Sequence, residues 1–144
     1  MKVLRFFLID LPPKSKDLGL FFLRLIIGGG MLFGHGIGKM QLLFSGDAGS
    51  FPDVLGIGSE VSLFLAVFAE VFCSLLLILG AFTRAALIPL IFTMCIAFFL
   101  VHFSDPFAKQ EKAILYGIAY LTLFLTGPGV YALDERLKRK FRKR

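Results

Sequence analysis

LGLFFLRLIIGGGMLFGHGIGKM, residues 18–40, decides the fold class. Its only ionisable side chains are Arg24, His35 and Lys39. About 20 mainly apolar residues in a helix cross the hydrocarbon core of a bilayer. This stretch meets that length, and it lacks the broad polar face a surface helix of a soluble protein would show.

Three more runs repeat the pattern, at about 61–82, 85–103 and 113–131. The whole chain of 144 residues is 57% hydrophobic and only 18% charged, with 18 Phe and no Trp. A soluble domain carries about 25% charged residues, and one this small cannot hide so much apolar surface. In hydrocarbon each backbone polar group must bond within its own segment, so the runs are read as helices. Strand alternation is absent, which excludes a barrel reading. The expected fold is an all-α membrane protein, a bundle of four transmembrane helices over residues 18–131.

Residues 1–17, MKVLRFFLIDLPPKSKD, do not read as a secretory signal. The apolar part is short, Asp10 and Pro12–Pro13 interrupt it, and no small-x-small cleavage pattern follows. Val3 to Leu11 is read as an interfacial segment. Basic residues set the orientation. Lys2, Arg5, Lys14 and Lys16 precede the first span, Arg84 lies in the second connection, Thr83–Arg84, and residues 132–144 form a basic tail. All three regions fall on one side of a four-span chain, so both termini are expected in the cytoplasm. The tail, directly after a span, is read as an anchor on anionic lipid rather than a nucleic-acid binder. The long outer connection, QLLFSGDAGSFPDVLGIGSE, mixes Gly and Pro with Phe51, Val54, Leu55 and Ile57. It is read as a segment returning to the interface or as a lid over the outer ends of the spans.

Ionisable groups at bilayer depth are costly and mark function by default. Here they are Arg24, His35, Glu70 and His102, with Lys39 and Asp105 at the rim. Arg24, Gly28, Met31, His35 and Lys39 share one face of the first helix at steps of three, four and seven. Gly30, Gly34 and Gly38 form a small-xxx-small ladder that predicts close approach of a neighbouring helix. His35, Lys39, Glu70 and His102 fall toward the outer side and are the ligand-binding candidates. Glu70 and His35 are also the candidates for any catalytic role. Arg24 stands alone near the inner side, and Asp134 is its expected ion-pair partner. Each has a plainer reading: Lys39 reaching the outer headgroups, His102 capping a helix, His35 bonding across helices. Glu70 resists one, because a mid-membrane carboxylate needs a proton, a cation or a ligand.

Other chemistries fit less well. GHGIGKM lacks the first glycine and the Ser or Thr of a phosphate loop. Two histidines alone, or with Glu70, do not have the spacing of a haem or metal site, and no metal is assigned. Cys73 and Cys95 are equally distant from Arg84 along an antiparallel hairpin, but no C-x-x-C pair exists, and both are read as packing residues.

The order of these residues resembles the DoxX family of bacterial four-helix membrane proteins. It is carried by Arg24 then HG-x-x-K at residues 35–39, Glu70 before LGAFTR, and GPG-x-Y-x-x-D ending at Asp134. Val130 and Ala132 stand where that pattern more often has a basic residue and a serine. The resemblance implies a component of inner-membrane redox systems, a subunit of thiosulfate:quinone oxidoreductase or a partner of sulfurtransferase and superoxide dismutase. On that basis the expected function is a quinone-linked accessory subunit in thiol, sulfur or oxidative-stress metabolism. The cofactor itself is left open, with a quinone as the candidate the resemblance offers. The chain has no flavin, nucleotide or iron–sulfur motif, so a protein partner must carry the redox cofactor. A small-solute or lipid carrier, and a scaffold recruiting cytoplasmic enzymes, use the same features differently. The sequence leaves substrate, partner and oligomeric state undefined.

Overall fold

The structure is a computed structural model and describes residues 13–142. Among them there is no strand. α1 runs as Pro13–Met31, a π-helical turn Leu32–Gly36, and Ile37–Phe44. α2 runs as Ser59–Val67, a π turn Phe68–Cys73, and Ser74–Leu79. α3 comprises Thr83–Ile96 and a π turn Ala97–Val101. α4 is Phe107–Thr126, and α5 is Leu133–Arg142. The interfacial segment expected at residues 3–11 lies outside the described residues.

α1, α2 and α3 are each long and apolar enough to cross a membrane. α4 is equally long, but every 18-residue stretch of it includes Lys109, Glu111 and Lys112. It also begins six residues before the expected span at 113 and ends five before 131. Pro106 has the extended backbone of a helix start, and Gly127–Pro128–Gly129 closes the other end, with Gly127 at φ 83° and Gly129 at φ 77°. No amide of proline and no left-handed glycine can continue an α-helix, so these two points fix α4.

The long helices pack against one another around Met31, Leu77, Leu87, Leu90, Tyr120 and Leu123. Phe22, Ile26, Phe64, Phe92 and Leu125 are among the large apolar residues pointing outward. That inversion of a soluble protein's surface fits a lipid surround.

The end of the bundle that carries the α2–α3 turn is tied by a clamp. Gly80 ends α2 in the left-handed region at φ 67°, with Ala81 N–H donating to Leu76 O (2.9 Å) and Gly80 N–H to Leu77 O (3.1 Å). This is the Schellman pattern that satisfies the last carbonyls of a helix. Phe82 follows at φ 48°, a conformation that costs a bulky residue steric strain. Asp134 compensates: its carboxylate accepts from the N–H groups of Phe82 (2.7 Å) and Thr83 (2.9 Å), and its own N–H donates to Gly80 O (2.9 Å). The connection between α2 and α3 is therefore this turn, and Thr83 and Arg84 already belong to α3.

The expected direct ion pair between Arg24 and Asp134 is not formed. Arg24, fully buried, donates instead to Leu77 O (3.2 Å) and Ile78 O (3.1 Å) at the end of α2. A cation against the last carbonyls of a helix meets the negative end of its dipole. Arg24 and Asp134 thus grip the same turn from opposite chemical sides, one through carbonyls and the other through amides.

The glycine ladder is also corrected. Added Cβ atoms at Gly34 and Gly38 would meet nothing within 4 Å. The close approaches occur at Gly28, where a Cβ would sit 2.7 Å from Ile78, and at Gly36, where it would sit 2.6 Å from the backbone oxygen of Glu70. Of the expected ladder, Gly30 alone is approached, by the Tyr116 hydroxyl.

Candidate functional site

Toward the ends of the helices remote from the clamp, α1 to α4 and the α1–α2 connection line a cavity of about 620 Å³. Most of its wall is apolar, including Met31, Leu65, Phe68, Ile88, Phe92 and Met94. Phe51, Pro52, Val54 and Leu55 of the α1–α2 connection also line it, so that segment covers the cavity as a lid would. Asp53 holds the connection in shape. Its carboxylate accepts from the N–H groups of Gly58 (2.8 Å) and Ile57 (3.0 Å) and from the Ser62 hydroxyl (3.1 Å). These bonds, that from Gly58 first, hold the Asp53 carboxyl below its ordinary range.

The polar lining is concentrated. Glu70 lies in the π turn of α2 and is 2% exposed. One carboxylate oxygen is bonded to the Lys39 ammonium of α1, and the other is buried without a partner among the described residues. Lys39 keeps 28% of its side chain accessible, so the pair lies at the cavity wall rather than sealed in the core. His35 lies in the π turn of α1 and lines the same cavity as Glu70, Lys39 and Lys112. Its ring meets that of Tyr116 edge-to-face at 6.0 Å. All four ligand candidates, His35, Lys39, Glu70 and His102, line this one cavity.

His102 closes α3. Its Nδ1 is 2.7 Å from Asp105, which also lies 3.5 Å from Lys109. The His102 hydrogen bond is the main cause that holds the Asp105 carboxyl below its usual value. His102 therefore combines the plainer role of ordering the rim with a place on the wall.

π turns arise where one residue more than an α-helix requires is accommodated, and they concentrate at functional sites. Here the turns of α1 and α2 present His35 and Glu70, and the turn of α3 contributes Ala97 and Val101 to the same cavity. Gly36 makes the crossing possible, because its bare Cα lets α1 lie directly on the backbone of Glu70.

Sequence reasoning overlooked three groups. Tyr116 lines the cavity, and Tyr120 packs beside it with ring centroids 6.0 Å apart and its hydroxyl buried without a partner among the described residues. Their i,i+4 spacing on α4 was the available signal. Asp17 holds the GPG turn by accepting from Val130 N–H at 3.0 Å. It reads in sequence as an ordinary flanking charge. The cysteines do not meet: Cys73 is buried, Cys95 is exposed, and both are free thiols. No group of three or more His, Cys, Asp or Glu gathers as a metal site among the described residues.

Comparison with known proteins agrees with the residue order read above. The DoxX family profile matches residues 19–103, more than half of the chain and including His35, Lys39 and Glu70. The chain belongs to the DoxX family. An uncharacterised protein of Haemophilus influenzae is 32% identical over 137 residues, covering 88% of this chain and 96% of that protein. No solved structure matches. The DoxX assignment and the apolar helices together make this a multi-pass membrane protein.

Proposed function

We propose that this DoxX-family chain crosses the bacterial inner membrane four times with both termini in the cytoplasm. In this reading the cavity lies in the outer half of the membrane and takes the head of a quinone, and the chain serves as the membrane accessory subunit of a redox complex. The observation that carries the reading is the cavity itself, with apolar walls and one polar cluster at Lys39, Glu70 and His35. Ligand sites commonly combine a largely apolar wall with a few convergent polar groups. A quinone ring is apolar on its faces and accepts hydrogen bonds at its two oxygens. Lys39 and His35 supply donors, and Glu70 holds or passes a proton when the head is reduced. Electrons come from a partner protein that carries the redox cofactor.

Orientation rests on the basic residues at both ends and at Arg84. Reporter fusions at residues 1 and 144 test it, and an external signal from either end overturns it.

The functional test begins with lipid extraction and mass spectrometry of the purified protein. The reading requires a co-purifying quinone, lost or strongly reduced in a folded Glu70→Gln variant. If phospholipid alone co-purifies and vesicles show saturable solute uptake, a carrier replaces it. If no small molecule is retained and a soluble protein is lost on deleting residues 136–144, a scaffold replaces it.

A further inference from the structure

The α5 helix presents an apolar face and a basic face that are exposed among the described residues. Leu133, Leu137 and Phe141 recur every four residues and are exposed by 38%, 46% and 71%. At about 100° per residue they occupy one arc of roughly 80°. Arg136 and Lys140 border that arc on one side and Lys138 on the other, and all three are exposed. The helix's two acids are engaged locally: Asp134 caps Phe82 and Thr83, and Glu135 lies 2.7 Å from Lys138. The outward face is therefore an apolar ridge flanked by cations. Val130 and Tyr131, also exposed, extend the apolar surface back to the end of α4.

We infer that α5 lies flat on the membrane surface beside the clamp, with Leu133, Leu137 and Phe141 inserted between acyl chains and Arg136, Lys138 and Lys140 on anionic phospholipid headgroups. The occupant follows from charge and placement together. An amphipathic helix with basic flanks binds anionic bilayers through its apolar face and its charge. Its first residues are fixed to the α2–α3 turn, which brings the ridge to the rim where a bilayer around α1–α3 would end. Because Asp134 is in the same helix, seating α5 on lipid also steadies the clamp. This goes beyond the proposed cavity function and does not depend on it.

The chain has no tryptophan, so Phe141→Trp gives a single tryptophan, excited at the red edge where the three tyrosines do not absorb. It is placed in nanodiscs of zwitterionic lipid or of the same lipid with added phosphatidylglycerol. Anionic discs should blue-shift the emission, protect it from acrylamide, and allow quenching by brominated acyl chains. Adding Arg136→Glu and Lys140→Glu should reverse all three effects while the helical circular dichroism of the bundle stays unchanged. Emission that remains water-like in anionic discs overturns the inference, as does equal insertion in both lipids. Hydrogen exchange of the unaltered chain gives the independent arm: amides 133–142 should exchange more slowly in anionic discs, and equal exchange in both lipids counts against the inference.

Discussion

Gly36→Ala is the sharpest test of how α1 meets α2. The new methyl carbon would lie 2.6 Å from the Glu70 carbonyl oxygen and 2.9 Å from both its carbonyl carbon and a Val71 methyl. To restore an ordinary 3.4 Å contact, the α2 backbone must retreat by about 0.8 Å. No side-chain rotation provides this, because the nearest atoms are main chain. Overpacking of a tight interface costs about 1–3 kcal/mol. Gly34→Ala is the control. Its added carbon meets nothing within 4 Å, and the better helix propensity of alanine keeps its effect within about 0.5 kcal/mol of neutral. Both variants are unfolded in mixed detergent micelles by increasing denaturing detergent, followed by circular dichroism. Gly36→Ala should unfold clearly earlier than the wild type, and Gly34→Ala should not. Equal behaviour of the two, or greater damage at Gly34, would refute the helix contact and restore the regular glycine ladder.

Lys39→Met should destabilise the protein by up to about 3–5 kcal/mol by leaving Glu70 buried and unpaired, less because Lys39 is 28% exposed. Adding Glu70→Gln should recover part of that loss, and a double variant as unstable as the sum would argue against the pair. Arg24→Ala and Asp134→Ala each release one side of the Gly80–Thr83 turn, so their thermal destabilisations should combine to less than their sum; strict additivity would separate them into independent contacts. Asp53 sets a pH dependence. Its folded-state pKa is lowered by the bonds from Gly58, Ile57 and Ser62, so its contribution is complete above the unfolded carboxylate range near about 4 and is lost as pH falls through the lower folded value. Amides 57–62 should exchange faster as the pH falls through that window, relative to the intrinsic rate. Asp53→Asn should show the faster exchange already at neutral pH, and an acid response unchanged by that substitution would exclude Asp53 as its source.

The helical class and the polar cluster were legible because lipid imposes strong rules. Long apolar runs must be helices, and Glu70 within such a run had to find a partner. The partner, Lys39, lay on the face predicted for it. The packing face of α1 was not legible, for a geometrical reason. Gly28 and Gly36 are eight residues apart, which in a regular α-helix leaves them about 80° apart around the axis. The π turn at Leu32–Gly36 absorbs one extra residue, and the offset falls to about 20°. No residue pattern announced that turn, so a ladder at Gly30, Gly34 and Gly38 was the natural but incorrect choice. Arg24 and Asp134 do meet at one turn, yet charge alone suggested direct pairing. Their actual partners are backbone groups freed by the Gly80 and Phe82 conformations, which a list of charged side chains does not contain.

The clamp at Gly80–Thr83 sets an order of assembly. Arg24 precedes the turn in the chain and is ready when the end of α2 forms. Asp134 follows it by some fifty residues and is needed to hold the amides of Phe82 and Thr83. The α2–α3 hairpin therefore waits, with the start of α3 uncapped, until α4 has been made and the chain has turned at GPG. A nascent chain stopped between Thr126 and Asp134 carries all four long helices but lacks the latch on the α2–α3 turn. The latch is thus contributed after all four long helices, so closure of the α2–α3 turn reports whether the chain beyond α4 has folded back onto it.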